Sequence, residues 1–243
     1  DEYNVYKCID NNNGGQSTTK PTGTGTTIIS TADSYKWKYM YTVSPADVLK
    51  FVSTDFIPVK KIITNPGSTD PYYNQYLVEQ AAVDGKIEHI TVTNNGTSYA
   101  SAPTVTITGD GTGATADAVY DAGTNTVTGV TVTDGGSGYT FGTVNLAAGG
   151  VPTGSTTPVF NVIIPPDGGH GADIYKELGA YNVLTYARFE NDASNPDFIV
   201  GNDFARVGLV KNPKTLSGAA LTKSSAVSSV SYTHLRAHET ARH

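Results

Sequence analysis

The chain has 243 residues, a net charge of −6 and only 16% charged residues. With no lysine cluster beyond Lys60 and Lys61 and no arginine stripe, that acidic balance argues against nucleic-acid binding through a basic surface. No apolar run approaches the roughly 20 residues that cross a bilayer, so no membrane insertion is expected, and Cys8 as the single cysteine excludes an intrachain disulfide.

Residues 1–74 read as strand-like segments and one helix. The run Tyr35-Lys36-Trp37-Lys38-Tyr39-Met40-Tyr41 alternates cation with aromatic, and that period of two predicts a strand with one aromatic face packed on a core. An aromatic and basic strand can also stack nucleic-acid bases, which the acidic chain disfavours. Ser44-Pro45-Ala46-Asp47 is a capping box with proline at the first helical position. Val48, Leu49, Phe51 and Val52 then form an apolar stripe, and the helix should stop near Thr54, ahead of the extended approach to Pro58.

Residues 75–164 contain an internal repeat of about 40 residues. The run from Ile87 to Tyr99 aligns with that from Val127 to Tyr139, and Pro103-Thr104-Val105-Thr106-Ile107 with Gly142-Thr143-Val144-Asn145-Leu146 after a one-residue deletion. Thr115-Ala116-Asp117-Ala118-Val119 answers Pro158-Val159-Phe160-Asn161-Val162. Each unit reads as strand, glycine turn with tyrosine, strand, glycine turn, strand; alternating Thr and Val fit a pleated sheet with one buried face. Asp84-Gly85 reads as a two-residue hairpin turn leading into the first unit. Tyr99 and Tyr139 are expected to cover the end of a small sandwich and bond a turn carbonyl. As exposed rings they would instead be sugar-stacking platforms. Asp110, Asp117, Asp121 and Asp134 match no calcium-loop spacing and read as turn residues.

After Pro165-Pro166, Asp167-Gly168-Gly169-His170-Gly171 reads as a flexible loop, and Asp173 as the cap of a short helix over 174–178. No lysine and serine follow at Walker spacing, so nucleotide binding is not supported. His170 can act as acid or base, but no carboxylate or nucleophile stands at a recognisable spacing. The glycines are expected to let the loop pass close to another backbone, across a subunit contact. A strand is expected over 182–189, a polar loop over 190–196, and apolar segments at Phe198-Ile199-Val200 and 206–210.

Two blocks flank the repeat: Val5-Tyr6-Lys7-Cys8-Ile9-Asp10 through Trp37, Tyr39 and Pro58, and Gly168-Gly169-His170-Gly171 through Asn202-Asp203-Phe204. Their texture and order resemble the baseplate wedge subunit of T-even-type contractile-tailed phages. The resemblance implies a mainly β fold with minor α (α+β), a wedge β-sheet body carrying an inserted tandem β-repeat. It divides the chain into an N-terminal body part (1–74), the insert (75–164) and a C-terminal body part (165–229). It further implies a non-enzymatic structural protein of the virion tail baseplate, made in the host cytoplasm, without cofactor or metal. Its partners would be a second copy of itself, other wedge proteins and tail-fibre proteins. The fold-signature positions are Trp37, Tyr39, Pro58, Gly168, Gly169, His170, Gly171, Asn202, Asp203 and Phe204. The rival function is a carbohydrate-binding or adhesive virion module carried by the repeats, with Tyr99 and Tyr139 as glycan contacts. A glycan-cleaving enzyme would need two facing carboxylates, and Asp47, Asp55, Glu79 and Glu177 read more simply as caps and solvated positions.

The last residues differ in kind. Ser231-Tyr232-Thr233-His234-Leu235-Arg236-Ala237-His238-Glu239-Thr240 resembles the translation of a sequencing-library adapter. Residues 230–243 are therefore expected to be read-through, and a fragment open at both ends is expected. Setting aside Arg236, Arg242 and Glu239 (a net +1) turns −6 into −7. It also removes His234, His238 and His243, leaving His89 and His170 too far apart in sequence to suggest a metal centre.

Overall fold

A computed structural model describes residues 3–147, 156–180, 182–189 and 204–211. The chain falls into two compact units, 1–178 and 179–243. The described structure is mostly small antiparallel sheets with three α-helices, a mainly β fold.

The body of the first unit is a three-stranded sheet of β1 (Asn4–Asp10), β2 (Ile29–Ser30) and β3 (Lys36–Thr42), with β3 in the middle. Its central place explains why the expected single aromatic face is only half the picture. Tyr39 and Tyr41 are buried as the alternation requires, but Lys38 and Met40 on the intervening positions are buried too. Lys38 is tolerated there because its Nζ reaches Glu88 Oε1 at 3.0 Å.

Helix α1 (Pro45–Phe51) starts as the capping box dictates, with Ser44 Oγ accepting from the Asp47 N–H at 3.1 Å. It ends three residues before Thr54, because Val52 is already extended. The apolar stripe is not a buried face. Val48 packs on the core, whereas Leu49 is 88% exposed and Val52 41%. A second helix, α2 (Tyr73–Gln80), has no sequence signal; it lacks a side-chain cap and buries Gln75 and Glu79 alongside Val78. Glu79 is satisfied locally, accepting from the Ile62 N–H at 3.0 Å and from Gln75 Nε2 at 2.9 Å, whereas Gln75 Oε1 has no partner among the described residues.

The insert holds β4 (His89–Asn94), β5 (Thr104–Gly109), β6 (Thr112–Asp121), β7 (Thr126–Ser137), β8 (Gly142–Ala147) and β9 (Val159–Ile163). These six strands are the two expected units of three. They do not form two separate sheets. β4 pairs with β9, β5 with β8 and β6 with β7, so every ladder joins one unit to the other. The register carries a twofold relation. Thr106 lies opposite Asn145, its own counterpart, and Val105 opposite Leu146 mirrors Ile107 opposite Val144. Ile90 opposite Val162 mirrors Val130 opposite Ala118, and both outer ladders carry a bulge at the same place, Thr93 and Thr133. The alignment of the third strands therefore shifts by one residue. Ala116 answers Phe160, which packs on the core, and not Val159, which is 52% exposed. A slip of one residue reverses the faces of a strand, so core burial decides the register. The core between the ladders is Ile87, Ile90, Ala116, Val130 and Tyr139, joined by Val105, Val144, Phe160 and Val162.

Beyond β9 the chain returns to the body. Helix α3 (Ile174–Glu177) is capped by Asp173, whose side chain accepts from the Lys176 N–H at 3.0 Å. Ile174 is fully buried with Met40, Tyr41 and Val43, and Tyr175, Leu178, Val48 and Val5 pack on them. Burial of a side chain such as Ile174 contributes about 1.5–3 kcal/mol, so the segment after the insert completes the core begun before it. In the second unit, β10 (Asn182–Phe189) and β11 (Phe204–Lys211) form an antiparallel pair, running from Asn182 opposite Lys211 to Phe189 opposite Phe204. This matches the strand expected over 182–189 and contains the segment 206–210. The segments 190–196 and 198–200 and the terminal 230–243 lie outside the described residues.

Candidate functional site

The groups with distinctive chemistry gather where the insert leaves and rejoins the body. Asp84-Gly85 is a turn, with Gly85 at φ +61°, but no strand precedes it, so it is not a hairpin. It is a junction. Asp84 Oδ1 accepts from the Gly168 N–H at 2.7 Å, and the Asp84 carbonyl accepts from the Gly138 N–H at 2.9 Å. The Glu88 N–H donates to the Ile163 carbonyl at 3.0 Å, so the two ends of the insert run side by side. Two side-chain pairs then tie β4 and the residue before it to the body sheet. Glu88 meets Lys38, with both side chains under 10% exposed, and His89 Nε2 lies 3.0 Å from Asp10 Oδ2. Burial pushes His89 below the usual imidazole range, against the pull of Asp10.

The glycine loop packs against this junction. Gly169, at φ +94°, lies so close to Val83 that a Cβ there would meet the Val83 backbone at 2.5 Å. Gly171, at φ +90°, lies similarly against Val78 at the end of α2. The expected close approach of loop to backbone is thus present, within the chain itself. His170 between them is 3% exposed, and its Nδ1 is hydrogen-bonded to Glu177 Oε1. The same carboxylate takes Lys7 Nζ from β1 at 2.9 Å, and its other oxygen takes the Gly171 N–H at 2.8 Å. Burial alone would raise the Glu177 carboxyl; the bonds from His170, Gly171 and Lys7 overcome it and hold the group down at about 2.

Glu177 is thus the partner the His170 motif lacks in sequence, and it is not a solvated position, since its side chain is 1% exposed. The only sequence signal for it is an acid three residues past a capped helix start. Glu79 is likewise interior, 8% exposed, with burial raising its carboxyl. Asp47 accepts from Tyr72 Oη at 2.9 Å.

The remaining signature positions serve the fold. Tyr39 is fully buried, with its hydroxyl 2.7 Å from Thr42 Oγ1. Trp37 stacks on Tyr35 at 5.4 Å between centroids, and its Nε1 has no partner among the described residues. The Pro58 carbonyl accepts from Tyr41 Oη at 2.7 Å. Gly168 supplies its N–H to the junction. Phe204 opens β11, and Asn202 and Asp203 lie outside the described residues.

Tyr99 and Tyr139 are plugs. They are 1% and 4% exposed, which leaves no ring face for a sugar. Their surroundings follow the twofold relation: Tyr139 donates its N–H to the Gly85 carbonyl at 3.0 Å, and Tyr99 donates to the Asn125 carbonyl at 3.0 Å. Gly85 and Asn125 share positive φ (+61° and +54°), as do Gly138 and Ser98 (+74° and +65°). The hydroxyls do not reach turn carbonyls. Tyr139 Oη accepts from the Ala114 N–H at 3.3 Å. Tyr99 Oη is buried without a partner among the described residues. The ladder register puts Pro158 where Ala114 stands for the other ring, and proline has no N–H to give.

Two clefts of about 470 and 460 Å³ flank these rings. One opens at the junction beside Asp84, Tyr139 and Asp167, the other at the far end beside Thr97, Tyr99 and Asn125. The carboxylates there are engaged: Asp84 by Gly168, Asp167 by Lys176 Nζ at 3.0 Å. Asp110 and Asp121 accept backbone N–H groups of turns, as their reading predicts, but Asp134 and its donor Gly136 lie inside β7 and Asp117 sits in β6 opposite Thr131, so neither of these two is a turn residue. No cluster of three metal-ligating side chains exists among the described residues. No helix among them is long and apolar enough to cross a membrane.

Scanned against protein-family models, curated proteins and solved structures, the chain matches none.

Proposed function

We propose that the chain is a structural subunit of a phage tail baseplate wedge, acting through subunit interfaces during assembly and the triggering of contraction. The observation that carries this reading is a run of apolar side chains left in solvent. Leu49 (88% exposed), Val52 (41%), Phe56 (38%), Ile57 (51%) and Ile63 (54%) all fall between residues 49 and 63, just after the capping box. Exposed apolar surface of this kind marks protein contacts. The two sequence blocks flanking the insert support the wedge identity, and the internal polar clamps suit a rigid part. A wedge subunit must transmit force without yielding, and rearrangement then takes place between rigid bodies at their interfaces.

On this reading the partners are a second copy of the chain, neighbouring wedge proteins and tail-fibre proteins, and the location is the virion. The test is a paired substitution, Leu49→Glu with Ile57→Glu. Sedimentation and co-purification with neighbouring tail proteins are expected to show loss of association, with Trp37 fluorescence unchanged. Association that survives both charges would sink the proposal.

A further inference from the structure

The insert offers an interaction surface that the chain uses on itself. Each of its three ladders pairs a strand of one unit with a strand of the other. The middle ladder is self-complementary about Thr106 and Asn145, the signature of an isologous interface between two like subunits. The halves are covalently joined at the far end only by the turn at 121–125. There Asp121 accepts from the Gly123 N–H at 2.8 Å and from Thr124 Oγ1 at 2.7 Å, and Asn125 takes φ +54°. The facing core is complementary in size. Phe160 of the second unit stands where the first unit has Ala116, so one large and one small side chain fill the space between the ladders. Two first units would leave a void there and two second units would collide, and both cost stability.

We infer that the unit-to-unit interface is a self-contained recognition surface whose partner is the complementary half of this same sequence, supplied either by the chain itself or by a second copy. The turn at 121–125 decides which. With the turn intact, the second unit folds back onto the first. Without it, β6 runs straight into β7 and the second unit can only reach the first unit of another copy, which is strand exchange through a shortened hinge. The inference rests on the register of the insert and stands whichever partners the body meets.

The test uses full chains carrying Cys8→Ser. One chain has Thr106→Cys and the other Asn145→Cys, both at exposed positions on the outward face of the middle ladder. Directly opposed residues in antiparallel strands lie close enough to form a disulfide. In one mixture both chains keep the turn; in the other both lack residues 122–124. After co-expression and oxidation, the turn-deleted pair is expected to give a disulfide-linked heterodimer as its major species, and the intact pair only background. A single intact chain bearing both cysteines should close an intrachain disulfide, which checks the register independently of any exchange. Turn-deleted chains that stay uncrosslinked, monomeric or aggregated, overturn the inference. So does an intact chain with both cysteines that forms no intrachain bond, or an intact pair that cross-links as well as the deleted one.

Discussion

The body and the insert both join segments far apart in the chain, and they use opposite chemistry. In the body, Lys7, His170, Gly171 and Glu177 meet in one buried polar knot, and Lys38 meets Glu88 in another. In the insert, the joining is done by strand register and by glycines that leave room for two tyrosine rings against the backbone. The difference shows where each region is vulnerable. A buried polar knot fails when one member is removed, because the others keep their desolvation cost without the compensating bond. A repeated sheet fails when a strand face is blocked, and it tolerates loss of a single polar group.

The largest expected effect follows from the knot. Glu177→Ala should destabilise the body by about 3–5 kcal/mol, measured by urea unfolding followed through Trp37, the single tryptophan. A cost below about 1 kcal/mol, the range of a surface pair, would erase the contrast between body and insert.

Acid should act on the same carboxylate. Glu177 is lowered from an ordinary value of 4.5 to about 2. The unfolded chain therefore takes up this proton first, and the stabilisation is complete above the ordinary value. It is lost as pH falls through the folded one. Wild type should lose about 3 kcal/mol between about pH 4.5 and about pH 2 through this group. Subtracting the acid titration of Glu177→Gln isolates that component; parallel curves would refute it.

In the insert, Gly111→Ala drives a Cβ into the Tyr139 ring and to 2.6 Å from the Ser137 carbonyl. It should cost about 1–3 kcal/mol, the range for overpacking. Gly123→Ala at the far turn meets only Asp121 Oδ1 at 3.3 Å and should cost far less. Thermal melts of the two variants side by side give the comparison.

The smallest effect is the most discriminating. Tyr139→Phe removes a hydroxyl bonded to the Ala114 N–H and should cost about 1 kcal/mol. Tyr99→Phe removes a buried hydroxyl with no partner among the described residues and should be neutral or stabilising. In a Pro158→Ala background an N–H becomes available, and Tyr99→Phe should then acquire a cost. A double-mutant cycle with no coupling would show that proline is not the cause of the orphan hydroxyl.

What could be read in the sequence tracks this division. Repetition exposed the insert's strands and both tyrosines, because the same pattern written twice cancels local accident. The third strand slipped by one residue in alignment because Ala116 and Ala118 carry too little side chain to mark a face. Helix α2 was hidden because its buried face includes Gln75 and Glu79, whose burial depends on partners from residues 60 and 62. The His170 knot was half visible: the glycines announced a close approach, but the acid seven residues on reads as solvent-facing until Lys7 and His170 are placed beside it. A pattern within one segment is legible; a partnership between segments is not.

The geometry of the junction also sets a rule of parity. The first unit starts beside Gly168 and finishes at the turn at 121–125, on the opposite end of the ladders; only the second unit brings the chain home to Ile163 beside Glu88. One unit, or three, would strand the segment carrying His170 and Ile174 away from the sheet it must complete. An arm of this design can therefore lengthen or shorten in its gene only by even steps, and a duplication of a single unit would be eliminated through the body it fails to close.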